Sequence, residues 1–318
     1  MSAERRVTSA DVARASGVSR ATVSYVINNV PGRSISQATR ELVLRTAKDL
    51  GHVPFAPARS LRLGHSSIVL ALVRDFTLGY VSSTVLHQLD VALVERGYGV
   101  VVHRLDEELR PLRELLGMVS PALVITMGGL SLDEEAARAI APGKLLRVHG
   151  YVPNAMAGRM QAEYLAQSGH TRLGYALPAS ASLALIAEER LQGVRSACLD
   201  LHVTPPLVEK IDPNDPATVF AALDSFLAHG VTAVAAHNDE IALMFTAALV
   251  ARDLHPGTDM AVIGVDNIPA ARIALTTVEI DVQGWGAAVV QSALSVLDDE
   301  EPAPIGTDFL RLIRRTTA

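Results

Sequence analysis

The chain has 318 residues, of which 49% are hydrophobic and 19% charged, enough apolar material for two or three packed domains and too much for a disordered chain. Its one cysteine, Cys198, excludes an internal disulfide and a multi-cysteine metal site, suits a reducing compartment and reads as a small buried hydrophobe on a helix. The opening "MSAERRVTSADVARASG" lacks the apolar segment of a signal peptide, and no run of about 18 uncharged apolar residues follows, so a soluble cytoplasmic protein with no membrane partner is expected.

The net charge of −6 is unevenly spread. Residues 1–66 hold ten Lys/Arg against four acids, whereas residues 67–318 hold 18 bases against 30 acids. A basic head on an acidic body fits a polyanion-binding module joined to a differently employed domain. In the head, "VTSADVARASGVSRATVSYVINN" predicts two short helices around a tight turn. Thr8 is a candidate cap with Asp11 in the first turn, Gly17 breaks the helix, and Ser19 caps the next. Val18, Val23, Val26 and Ile27 point inward at helical spacing, which leaves Arg20, Ala21, Ser24 and Tyr25 on one outward face near the helix start. That is the part of a recognition helix that enters a major groove. Ser36 then caps a third helix, "QATRELVLRTAKDLGH", whose Leu42, Val43, Thr46, Ala47 and Leu50 are expected to close a small core before Gly51 ends it.

These residues resemble the headpiece of the lactose-repressor (LacI) family of transcription regulators. The likeness runs through "TSADVARASGVSRATVSYVIN" and "SQATRELVLRTAKDLGHVPFAPARSLR", nearly without gaps over residues 7–63. It implies that Arg20, Ala21 and Tyr25 read base edges, and an arginine there can clasp guanine O6 and N7. It further implies that Thr8, Ser19, Thr22, Ser24, Asn28 and Thr39 hold phosphates and set the register. The segment "PAPARSLR" then corresponds to a hinge helix that forms when two subunits meet on DNA. Leu61 would wedge into the central minor-groove step, Ala58 would allow close approach of the paired helices, and Arg59 and Arg62 would face phosphates or groove edges.

From Ser67 onward, apolar runs such as "SIVLALV", "YGVVVHRL", "PALVITMG", "TRLGYALP", "TAVAAHND" and "MAVIGVDN" alternate with helical patterns. Near-continuous Val/Ile/Leu strands separated by helices predict an α/β fold with parallel sheets covered on both faces. Ligands of such sheets bind at the carboxyl ends of the strands. The body resembles the effector domain of the same family through "RLQGVRSA", "AAHNDEIALMFTAAL", "DMAVIGVDN", "TTVEIDVQGWG" and "LRLIRRTTA". The expected organisation is therefore a small all-α helix-turn-helix headpiece (1–53), a hinge and linker (54–66), and a two-lobed periplasmic-binding-protein-like domain (67–318). Its first lobe takes about 67–154 and 281–305, and its second about 155–280 and 306–318, with crossings near 153–156, 279–281 and 304–307.

The resemblance assigns effector contacts to Arg190, Asn238 and Asp266, with Asp239 beside them, and Tyr80 in the first strand-to-helix loop can cover a ligand. An arginine, a carboxylate and an amide suit sugar hydroxyls or a nucleobase edge, because each buried donor and acceptor must be matched. Pro153, Arg74, Ile280 and Val282 depart from the usual family residues, the last two by placing apolar groups where polar pocket residues occur. No heptads follow residue 300, so a homodimer without a coiled-coil tail is expected. No G-x-G-x-x-G, G-x-x-x-x-G-K-[ST], H-E-x-x-H or G-x-S-x-G appears, which leaves His237 as the best stray acid/base candidate and argues against an enzyme, a cofactor or a metal. A solute-binding protein on the same lobes would need a signal peptide and would not need residues 1–63. The predicted function is a ligand-responsive repressor whose partners are double-stranded operator DNA, a small sugar-like or nucleoside-like effector, and a second copy of the chain.

Overall fold

In the computed structural model the described residues are 7–27, 34–52, 66–73, 79–105, 112–127, 132, 140, 144–148, 153–180, 183–304 and 308–318. They form two units, Met1–Ser66 and Ser67–Ala318.

The first unit contains α1 (Ser9–Ser16), α2 (Arg20–Ile27) and α3 (Gln37–Asp49). Helix α1 starts where the Asp11 carboxylate accepts from the Thr8 backbone N–H and hydroxyl, at 3.0 and 2.7 Å, and ends at Gly17, whose φ of +70° suits a residue without Cβ. The hydroxyls of Ser19 and Ser36 cap α2 and α3 by accepting from the Thr22 and Thr39 N–H groups at 3.0 and 3.1 Å. Val12, Ala13, Val23, Val26, Val43 and Ala47 form the core, with Val7, Val18, Ile27 and Ile35 packed against it. Leu42 and Leu50 do not join them, being 43% and 39% exposed. Val43 and Ala47, four residues apart, take the inward stripe of α3; helical phase turns Leu42 off it, and Leu50 is the C-cap, beyond the last helical residue Asp49.

The second unit holds two sheets. Strands β1 (Ile68–Val73), β2 (Gly99–Arg104), β3 (Leu123–Thr126) and β4 (Leu145–Arg147) pair in the order β2-β1-β3-β4, all parallel. Alternate residues of β1 serve opposite faces, Val69, Ala71 and Val73 in one core and Leu70 and Leu72 in another. The first face is covered by α4 (Tyr80–Glu95) through Val85, Leu89 and Leu93, and the second by α5 (Leu112–Val119) through Leu112 and Leu116.

Five of the six strands of the second sheet are β5 (Arg172–Pro178), β6 (Thr204–Ile211), β7 (Ala233–Ala236), β8 (Ala261–Val265) and β9 (Thr276–Ile280); β10 (Leu310–Ile313) completes the order β10-β9-β8-β7-β5-β6. The pairings are parallel except at the edge, where β10 runs antiparallel to β9 with Leu310 opposite Ile280. Helices α6 (Asn154–Gln167) and α7 (Ala184–Asp200) bury Ala157, Leu165, Leu191 and Val194 in one core, and α8 (Pro216–Ala228) and α9 (Asp239–Ala251) bury Leu223, Phe226, Ile241 and Phe245 in the other. Helices α6 and α7 touch backbone to backbone, since a Cβ on Gly193 would lie 1.8 Å from the Ala155 carbonyl oxygen. Cys198 is free and buried on α7.

Helix α10 (Val282–Leu297) follows β9 but packs on the first sheet's side. Gln88 Nε2 on α4 donates to Gln283 Oε1 at 2.6 Å, and Lys144, just before β4, donates to the Asp299 carboxylate at 2.6 Å. The chain thus passes from one sheet to the other between β4 and α6, back at Asp281, and again between α10 and β10. The Asp281 N–H donates to the Phe309 carbonyl at 2.7 Å, tying the last two passages together.

Candidate functional site

Helix α2 buries Val23 and Val26 and leaves Arg20, Ala21 and Ser24 exposed, with Tyr25 half-buried beside them. A rigid three-helix core therefore presents the four residues that spacing placed on one outward face. Thr8, Ser19, Thr22 and Thr39 sit at helix starts, where backbone N–H groups and the helix dipole favour an anion. Their hydroxyls are already engaged: Ser19 shares a hydrogen bond with Thr22 at 2.9 Å, and Thr39 one with Ser36 at 2.8 Å. Asn28, Ala58, Arg59, Leu61 and Arg62 lie outside the described residues.

At the carboxyl ends of the second sheet's strands, Arg190 of α7 is the organising cation. Its side chain is 6% exposed and meets Asp266, 14% exposed, at 3.3 Å. It also donates to the His237 carbonyl at 2.6 Å and to Asn154 Oδ1 at 3.3 Å. Burial pushes the Asp266 carboxyl up to about 6 even though the Arg190 charge pulls it down. Burial, reinforced by Arg190, holds His237 well below its ordinary range, so its ring is neutral and not poised for acid/base work. Asn238 caps α9: its Oδ1 accepts from the Ile241 N–H at 3.0 Å, and its Nδ2 donates to Glu240 at 3.2 Å. Arg190, Asp266 and Asn238 thus come to one end of the sheet, with Asn238 committed to the helix start.

A cavity of about 750 Å³ opens beside this cluster, with Tyr80, Asp266, Asn267, Arg272, Glu279 and Arg311 among its polar walls. Tyr80 belongs to α4 on the first sheet, while Asp266, Asn267 and Arg272 follow β8 in the second. Arg272 donates to the Tyr80 hydroxyl at 3.2 Å, a hydrogen bond between side chains from the two lobes. Glu279 accepts from Arg311 Nε at 3.0 Å and from Asn267 Nδ2 at 2.6 Å. Ile280, Val282 and Phe309 supply apolar surface. Arg190 and Asn238 are not on the cavity wall. Arg272, Glu279 and Arg311 are wall residues that sequence reading did not single out: Arg272 lies in a short 3₁₀ turn without a motif, while Glu279 and Arg311 lie inside the anchors "TTVEIDVQGWG" and "LRLIRRTTA", which do not show which of their side chains face a cavity. Among the described residues, no group of three His, Cys, Asp or Glu side chains could hold a metal ion, and no helix is long and apolar enough to cross a membrane.

Residues 8–54 match the family model of bacterial regulatory proteins of the lacI family, and residues 162–318 match that of the periplasmic binding protein-like domain. The chain thus joins a LacI-family DNA-binding domain to a periplasmic-binding-protein-like domain. Full-length relatives agree. The regulator is 29% identical to the HTH-type transcriptional regulator GalR of Escherichia coli, covering 96% of this chain and 94% of that protein. It is 27% identical to the HTH-type transcriptional repressor PurR of Vibrio cholerae, covering 92% and 91%. In fold it is similar to a LacI-family regulator from Silicibacter pomeroyi (TM-score 0.81, 24% identity, 98% and 99% coverage). The lac repressor dimer bound to operator and an anti-inducer is a second structural neighbour (TM-score 0.75, 21% identity, 98% and 99% coverage). The regulator is thus a DNA-binding transcriptional regulator with a periplasmic-binding-protein-like second domain.

Proposed function

We propose that this regulator represses transcription by binding a palindromic operator as a cytoplasmic homodimer, and that a small sugar-like or nucleoside-like effector in the 750 Å³ cavity releases it. The observation that carries the effector half of this reading is the composition of the cavity wall, contributed by both lobes. A ligand touching Tyr80 on one side and Asp266 and Arg272 on the other has different contacts at different lobe angles. Differential affinity of that kind is what shifts a two-state equilibrium. For the DNA half, Arg20, Ala21 and Tyr25 read bases, the helix-start hydroxyls and Asn28 position phosphates, and Ala58, Arg59, Leu61 and Arg62 form the hinge contacts. In the effector half, Asp266 and Tyr80 touch the ligand directly, while Arg190 acts through Asp266 and Asn238 through the start of α9. The reading assigns no catalysis, cofactor or metal. A solute-binding protein of this fold would have no use for residues 8–54.

The test is selection of duplex DNA by the purified full chain, followed by titration of the winning sequence with free sugars, nucleobases and nucleosides. A palindromic winner whose affinity falls with one of these compounds is the expected result. Affinity that no compound changes would remove the effector half of the reading.

A further inference from the structure

Asp239, the first residue of α9, is fully buried and serves two other elements at once. Its Oδ1 accepts from the Thr277 hydroxyl on β9 at 2.6 Å, and its Oδ2 accepts from the Ile268 backbone N–H at 2.8 Å. Ile268 closes the turn that leaves β8, in which Asp266 has φ +108° and Asn267 φ +52°. Two consecutive non-glycine residues with positive φ persist only where surrounding contacts hold them there. The turn carries two cavity-wall residues: Asp266, aimed at Arg190, and Asn267, which donates to Glu279 and accepts from Arg315 Nη2 at 2.8 Å. Strand β8 makes room for the carboxylate, since a Cβ on Gly264 would lie 2.1 Å from Asp239 Oδ1.

We propose that Asp239 is the positioning residue of the effector cavity. By bridging β9 and the Ile268 N–H it holds the left-handed turn in the conformation that presents Asp266 and Asn267 to the ligand, and β8 has glycine at 264 so that this carboxylate fits. The role in ligand binding rests on the cavity being the effector site, whereas the hold on the turn does not. The charged groups acting on Asp239 are Asp266 on the turn and Arg190 on α7; β9 presents the Thr277 hydroxyl and β8 presents glycine. Burial lifts the Asp239 carboxyl to about 7, with the Asp266 charge adding to the rise and the Thr277 and Ile268 bonds opposing it. The ionised carboxylate is the stronger acceptor. The grip on Ile268 therefore weakens as pH falls through neutrality.

Hydrogen–deuterium exchange of the full chain, read by mass spectrometry, tests this without effector or DNA. Asp239→Asn is expected to raise exchange about tenfold in the peptide spanning residues 265–272, where one supporting bond is lost, and to leave β5 and β6 unchanged. Gly264→Ala, which pushes the carboxylate aside, should raise exchange in the same peptide. Wild-type protection there, corrected for intrinsic exchange, should fall between pH 8 and pH 6, and Asp239→Asn should abolish that dependence. Exchange that is unchanged in the turn, or raised evenly across residues 67–318, would overturn the proposal. Should Asp239→Asn fail to fold, Thr277→Val removes the other bond and is expected to give a smaller rise in the same peptide; no rise there would equally overturn it. A chain that selects no operator but passes these measurements would refute the repressor reading and leave this one standing.

Discussion

The Tyr80 hydroxyl accepts a hydrogen bond from Arg272 at 3.2 Å, joining α4 on the four-stranded sheet to the turn that follows β8 on the six-stranded one. A single bond of this kind shifts an equilibrium by a factor of about 2 to 10. Tyr80→Phe and Arg272→Gln should each widen the distribution of distances between spin labels placed on the two lobes, in a Cys198→Ser background. Because both variants remove the same bond, the double variant should widen it no further. Additive widening would show that the two side chains act separately.

Arg190 and Asp266 form the buried pair of the cluster. Arg190→Met leaves the Asp266 carboxylate without its cation and strips the His237 carbonyl and Asn154 of their donor. A loss of about 3 kcal/mol in denaturant unfolding is expected. Asp266→Asn, which leaves a neutral acceptor in place, should cost less. Equal losses would mean that packing rather than charge sets the value of the site.

The two raised carboxyls give stability a pH dependence of definite sign. Asp239 at about 7 and Asp266 at about 6 keep protons in the folded chain that the unfolded chain releases. Each therefore contributes a fall in stability of at most about 1.4 kcal/mol per pH unit as pH rises from roughly 4 toward its folded pKa, and none above it. His237, neutral in the fold, acts oppositely and removes stability as pH drops below the ordinary histidine range. Subtracting the stability curve of Asp239→Asn from that of wild type isolates the first group. The difference should favour wild type increasingly from pH 7.5 down to 5, and a flat difference would deny Asp239 its raised pKa.

In the headpiece, Arg20→Ala should relax base preference at one operator position by about 1–3 kcal/mol, as loss of a bidentate guanine contact does. Leu61→Ala should weaken operator binding strongly while circular dichroism shows residues 67–318 still folded. Arg62→Ala should weaken binding to all sequences and lower the salt slope by about 1.

Much of the fold was readable because its cores are periodic. The alternation of Val69, Ala71 and Val73 with Leu70 and Leu72 marks a strand buried on both faces, and the Val23 and Val26 stripe fixes which side of α2 faces outward. The strands β9 and β10 and helix α10 were harder to read, being visible only as family anchors. Thr276 and Thr277 are polar yet buried, and β10 is a four-residue edge strand with no fully buried position. At the site, the residues that came together, Arg190, Asn238 and Asp266, were those with a motif around them. Arg272 has no motif around it, and Glu279 and Arg311, though inside family anchors, reach the cavity through crossings and an antiparallel edge that local sequence does not encode. The role of Asp239 needed coordinates, because its partners Ile268 and Thr277 lie 29 and 38 residues away.

The central claim is that the exposed face of α2 and the two-lobed cavity belong to one switch. The direct measurement is the affinity of the full chain for its best selected duplex, against a scrambled duplex at the same salt, with and without a compound shown by thermal shift to bind residues 67–318. The account predicts a palindromic site bound at least about 10³-fold more tightly than the scrambled one, and a loss of much of that margin when the compound is present. A margin that is absent, or that the bound compound leaves untouched, would contradict it.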